Sequence, residues 1–133
     1  MVFKVFFITL REHGNSEPFF LYEIRNLEFE MSEHPIISVI LPTLNAERTL
    51  ERCLAAIRAQ EYPRELVEII VADAGSIDRT LEIARKFDVE KIIENPLKTG
   101  EAGKSAAIEA SSGDVFALID SDNIVDDTSF FSR

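Results

Sequence analysis

The hydrophobic pattern of this chain changes period several times, and each change marks an element. Residues 36–42, "IISVILP", form a continuous apolar, β-branched run, as expected of a strand buried on both faces. The next stretch, "AERTLERCLAAIRAQ", has a helical period. Leu50, Cys53, Leu54 and Ile57 fall on one face, with Asn45 as N-cap and Glu47 in the first turn. "YPREL" breaks that helix, and "VEIIVAD" predicts a second buried strand. A second helix follows in "AGSIDRTLEIARKF", capped by Ser76 or Asp78 and burying Leu81, Ile83 or Ala84, and Phe87. "VEKIIEN" predicts a third strand, "EAGKSAAIEASS" a small-residue helix and "DVFALIDSDN" a fourth strand. Strands and helices alternate throughout, which is the signature of an α/β fold with a mainly parallel sheet and flanking helices.

Residues 1–30 do not share this regularity. They carry aromatic patches, "VFKVFFITL" and "PFFLYEI", around the turn-rich "EHGNSEP". The chain therefore divides near Met31 into an extension, 1–30, and a domain, 31–133. The first segment reads equally as an appendage or as a β-hairpin packed on the domain.

Charge and composition narrow the partners. The net charge of −10 argues against a nucleic-acid backbone or an anionic membrane, since both call for surplus Lys and Arg. A nucleotide stays compatible, provided a divalent cation stands between its phosphates and the carboxylates. Hydrophobic content of 46% is enough for a real core. The single cysteine, Cys53, forms no internal disulfide and sits on the apolar helix face, where inert packing is expected. No apolar run approaches the roughly 18 residues of a transmembrane helix. "VFKVFFITL" is too short, is interrupted by Lys4 and lacks a signal-peptide cleavage site, so a cytoplasmic location is expected.

In an open α/β sheet, ligands sit beyond the carboxyl ends of the strands. Those ends carry "PTLNAE" (42–47), "ADAGSID" (72–78) and "DSDN" (120–123). Asp120 and Asp122 are one residue apart. On an extended segment both side chains share a face and suit a hard divalent cation, whereas taken alone such an acidic strand end reads better as a solvated turn. Asp126 and Asp127 read as solvated charge. Asp73 stands too early to cap the following helix, which favours a ligand contact. Glu47 keeps two readings open, as a partner of the helix dipole or as a ligand contact.

"LKTGEAGKS" (97–105) ends like a phosphate-binding P-loop, but the first glycine of G-x-x-x-x-G-K-[ST] should stand at 98, which is lysine. Gly100 comes two residues too late. The P-loop reading fails on that glycine and on its place after the third strand.

Taken together, "ISVILPTLNAERTLERCLAAIRAQEYP", "EIIVADAGSIDRTLEIA" and "GDVFALIDSDN" resemble the family 2 glycosyltransferases of GT-A fold, over about 36–123. The resemblance implies a Rossmann-like nucleotide-binding half. In that family the P-T-x-N-x-E loop and the aspartate of D-x-G-S-x-D hold the base and ribose of a nucleotide sugar. Those positions are Pro42, Thr43, Leu44, Asn45, Glu47 and Asp73 here. The D-x-D element matches Asp120, Ser121 and Asp122, with Asp120 and Asp122 as ligands of Mg2+ or Mn2+. Lys104 matches a basic residue at a helix start facing the donor phosphates.

The family often has a second acidic residue where Ala74 stands, and commonly an asparagine near Ser105. It also continues well past the D-x-D strand into an acceptor-binding half with the catalytic base, whereas this chain ends ten residues after Asn123. The expectation is a metal-dependent, inverting transfer of sugar from a nucleoside-diphosphate sugar to a hydroxyl, of which this chain supplies the donor-binding half. A sheet shortened in this way would leave an apolar edge or face, favouring self-association. A noncatalytic α/β binding module and a nucleotidyltransferase are the competing readings. The second normally needs a Gly-rich loop after the first strand, where "PTLNAER" has no glycine.

Overall fold

The computed structural model describes residues 34–132; the expectations for residues 1–30 lie outside them. Four strands form one sheet: β1 (Ile37–Thr43), β2 (Val67–Asp73), β3 (Lys91–Glu94) and β4 (Val115–Leu118). Their order is β3-β2-β1-β4 and every pairing is parallel. Helices α1 (Leu50–Arg58), α2 (Thr80–Lys86) and α3 (Gly100–Ala110) connect them. The order reverses between β1 and β4, and such a switch point opens a crevice at the carboxyl ends of the strands.

The two-sided burial expected of "IISVILP" and "VEIIVAD" is present, since alternate residues serve two cores. Val39, Leu41, Ile69 and Val71 pack with Leu50, Leu54 and Ile57 of α1 and with Ile83 and Ala84 of α2. Ile40, Ile70 and Ala72 face the other way, toward Ala107 of α3. Fully burying an aliphatic side chain contributes about 1.5–3 kcal/mol, so these central strands dominate the stability.

The third helix presents Gly103 and Ala107 as its buried residues. A Cβ at position 103 would lie 2.8 Å from Asn95 Nδ2 and 3.3 Å from Pro42 Cβ. The missing side chain therefore lets α3 approach the ends of β1 and β3.

Two helix starts differ from expectation. The first helix begins at Leu50, five residues after Asn45, because Asn45 adopts φ 47° and turns its side chain away from the helix. The amides of Thr49 and Leu50 instead bond the carbonyl of Ala46. The second helix begins at Thr80, and Thr80, not Leu81, is buried with Ile83 and Ala84. Of the two residues expected to cap it, Asp78 bonds the Thr80 amide at 2.9 Å, while Ser76 turns to Asp73 and Asn45.

A polar cluster ties the amino ends of the strands, away from the crevice. Glu68 accepts from Ser38 Oγ at 2.7 Å and from Ser112 N at 2.9 Å, and pairs with Lys91 Nζ at 3.0 Å. Burial opposes its charge, but the hydrogen bonds from Ser112, Ser38 and Lys91 prevail and pull its pKa from 4.5 down to about 2. Among the described residues, no helix is long and apolar enough to cross a membrane.

Candidate functional site

Two loops from adjacent strands are laced together at the carboxyl edge. Beyond β1, Asn45 N donates to Ser76 Oγ at 2.8 Å, and Asn45 Oδ1 accepts from Ile77 N at 2.9 Å. One residue on, Ala46 N donates to Thr80 Oγ1 at 2.7 Å. Glu47 completes the exchange: its amide donates to Asp78 Oδ2 at 3.1 Å and its carboxylate accepts from Arg79 N at 3.2 Å. The residue types of "PTLNAE" and "DAGSID" thus serve each other's backbones.

Asp73 anchors this lattice. Its Oδ1 accepts from Thr43 Oγ1 at 2.8 Å and from Ser76 Oγ at 2.5 Å; its Oδ2 accepts from the amides of Gly75 and Ser76. Gly75 makes the tight return possible with φ 94°, which other residues rarely adopt. Burial disfavours the carboxylate's charge, yet the bonds from Ser76, Thr43 and Gly75 outweigh it and hold the pKa below the ordinary value.

The laced loops form one wall of an open cleft of about 460 Å³. Pro42, Thr43, Leu44 and Asn45 line that wall, and Asp120, Ser121 and Asp122 line the wall beyond β4. The structure therefore brings together seven of the ten residues singled out in the sequence. Glu47 and Asp73 are engaged in the loop lattice. Lys104 is not a lining residue, but its ammonium stands 3.6 Å from Asp120 Oδ1.

Residues from the loop after β3 and the first residue of α3 close the third side: Asn95, Lys98, Thr99 and Gly100. Sequence reasoning did not assign Asn95 or Thr99 to the site. Asn95 is 4% exposed, its amide donates to Asp73 O and its Nδ2 to Thr99 O at 2.7 Å. The signal that could have found it is an asparagine before a proline at a strand end, in a strand neighbouring the one that ends in Asp73.

Beneath the acidic pair lies Cys53, 1% exposed, with Sγ 3.8 Å from the Asp120 carbonyl. Burial first, and then the negative charges of Asp122 and Asp120, push its thiol up to about 12. The expected inert cysteine is what the fold contains.

A divalent cation fits the donor set. Among the described residues, no group of three or more His, Cys, Asp or Glu side chains gathers as a closed metal cage. Two carboxylates on one wall suit Mg2+ or Mn2+, which are commonly held by one or two carboxylates with substrate phosphates completing the shell.

A parallel sheet switching direction between β1 and β4, with an acidic pair beside the switch, defines a Rossmann-like domain of the GT-A type. The profile described as "Glycosyl transferase family 2" matches residues 38–131, and the chain belongs to that family. The glycosyltransferase AglE of Haloferax volcanii is 39% identical over 93 residues, covering 66% of this chain and 31% of that protein. Among solved structures, the mannosyltransferase PcManGT from Pyrobaculum calidifontis, in complex with GDP-Man and Mn2+, superposes with a TM-score of 0.65. It is 27% identical and covers 72% of this chain and 30% of its own. Glucosyl-3-phosphoglycerate synthase from Mycobacterium tuberculosis, with Mn2+, UDP and phosphoglyceric acid, superposes with a TM-score of 0.52. There the identity is 34%, with 68% of this chain and 34% of that one covered. The chain thus spans about a third of the length of these relatives.

Proposed function

We propose that this chain is the donor-binding part of a glycosyltransferase that moves a sugar from a nucleoside-diphosphate sugar to an acceptor hydroxyl, with inversion at the anomeric carbon. The observation that carries the reading is the cleft at the strand switch, where Asp120 and Asp122 face the Pro42–Asn45 wall. The solved relatives bound to GDP-Man or UDP together with Mn2+ support it.

In this reading Asp120 and Asp122 hold Mg2+ or Mn2+, which would supply Lewis-acid stabilisation of the departing diphosphate. Pro42, Thr43, Leu44 and Asn45 form the surface against which the nucleoside lies. Asp73 fixes the Thr43 hydroxyl by accepting its hydrogen bond. Glu47 acts through the loop it ties to Arg79. Ser121 contributes to the cleft lining beside the two carboxylates, and Lys104 brings positive charge to the phosphate side.

Calorimetric titration with UDP and GDP, with and without Mn2+, tests the proposal. Metal-dependent binding of at least one nucleotide is expected, and Asp120→Asn combined with Asp122→Asn should abolish it. A noncatalytic module would show no metal-dependent affinity, and that outcome would sink the proposal.

A further inference from the structure

Asp120 already has a cationic partner within the fold. The Lys104 ammonium stands 3.6 Å from its Oδ1, an ion pair beyond ordinary hydrogen-bond length. The two side chains are only 24% and 35% exposed, so the pairing is partly shielded from water. The Asp120 backbone is fixed independently, since its carbonyl accepts from Asn123 N at 2.9 Å and from the Cys53 thiol at 3.8 Å. Lys104 is held in place by its neighbour: without a Cβ at Gly103, α3 packs directly on Pro42 and Asn95. The ammonium is thus delivered to Asp120 by a helix seated on the sheet.

We infer that Lys104 couples the two ligands of the cleft, so that divalent metal binds at Asp120 and Asp122 weakly alone and more tightly with a nucleoside diphosphate. The inference rests on the metal-and-donor reading given above. A metal ion approaching Asp120 alone must displace the ammonium and then remain near its charge. When a diphosphate enters as well, the released ammonium gains an anionic partner, and the competition becomes cooperation. By linkage, each ligand then raises the affinity of the other by the same factor. Lys104 is a positioning and coupling residue in this scheme and takes no part in bond making.

The test compares Mn2+ binding, read by electron paramagnetic resonance on the whole chain without nucleotide, in the parent, Lys104→Met, Lys104→Arg and Lys98→Met. Lys98 lines the same cleft, with its ammonium beside Gly75, and controls for general charge. Lys104→Met should bind Mn2+ about threefold more tightly or better, the scale of a partly exposed ion pair. Lys104→Arg should resemble the parent, and Lys98→Met should change little. In saturating Mn2+, Lys104→Met should bind UDP or GDP more weakly than the parent, so the mutual enhancement shrinks. Unchanged or weaker Mn2+ binding in Lys104→Met overturns the inference, as does an equal gain in Lys98→Met. If the parent binds neither UDP nor GDP with Mn2+ present, the functional reading fails, while the nucleotide-free arm still decides the competition at Asp120.

Discussion

Asp73 illustrates how one carboxylate can organise the wall of a cleft. It is 6% exposed and accepts from Thr43, Gly75 and Ser76, so its removal strands the buried Thr43 hydroxyl and loosens the turn at Gly75 and Ser76. Stranding such groups costs about 1–3 kcal/mol, more when the lost acceptor is charged. Asp73→Ala is therefore expected to lower unfolding stability by about 2–4 kcal/mol in urea titrations. Thr43→Val removes a single donor and should cost about 1 kcal/mol. Equal stability of Asp73→Ala and the parent would contradict this role. A strand-end aspartate was legible in the sequence as important. Its exact duty was not, because the four donors come from positions 43, 75 and 76, and only folding brings Thr43 beside them.

Packing between elements depends on a similar economy of atoms at Gly103. Replacing glycine inside a helix by alanine normally gains about 1 kcal/mol. Here the new methyl would meet Asn95 Nδ2, itself bonded to Thr99 O, and Pro42. Overpacking of this kind costs about 1–3 kcal/mol, so Gly103→Ala should be net destabilising. In an Asn95→Ala background the cost should fall by about 1 kcal/mol, giving a measurable coupling in a double-mutant thermal-melting cycle. Additivity of the two changes would refute the contact. At this scale the sequence was a good guide to β1 and β2, whose apolar runs have no helical alternative of the right length. The fourth strand, expected to reach Asn123, ends at Leu118 instead. Residues 120–123 form a turn closed by Asn123 N on the Asp120 carbonyl rather than an extended segment. The sequence was a poorer guide to helix starts. Asn45 and Ser76 carry the side chains of helix caps, but their partners lie in each other's loop, a choice made by tertiary structure. The cleft wall after β3 was missed for the same reason: Asn95 and Thr99 become site residues only once β3 takes its place beside β2.

Across the described residues, the sheet carries a second stabilising carboxylate at the end opposite the cleft. The cleft gathers at the carboxyl ends, while Glu68 joins β1, β2, β3 and the segment before β4 at the amino ends. Because Glu68 has a pKa of about 2 when folded and an ordinary value near 4.5, its contribution is present above about pH 4.5. It should decline as pH falls toward 2. Glu68→Gln should lose stability at pH 7 and show a shallower acid decline than the parent, measured as melting temperature at pH 7, 4.5 and 3. Identical acid slopes would refute that assignment. Subtracting the two curves removes the shared contributions of Asp73 and Asp78, whose folded values are also lowered.

The parallel order β3-β2-β1-β4 also dictates when the cleft can exist. The β1–β2 pairing joins Ile37 to Val67, whereas β4 must return to β1 from much farther along the chain, where Ile36 meets Asp114 across a separation of 78 residues. Closing that longer loop is entropically the more demanding step. A chain that has assembled β1, β2 and β3 owns the laced wall and the Asn95 side but not the acidic pair. Asp120 and Asp122 arrive only with the last strand, so completing the sheet and completing the cleft are one event.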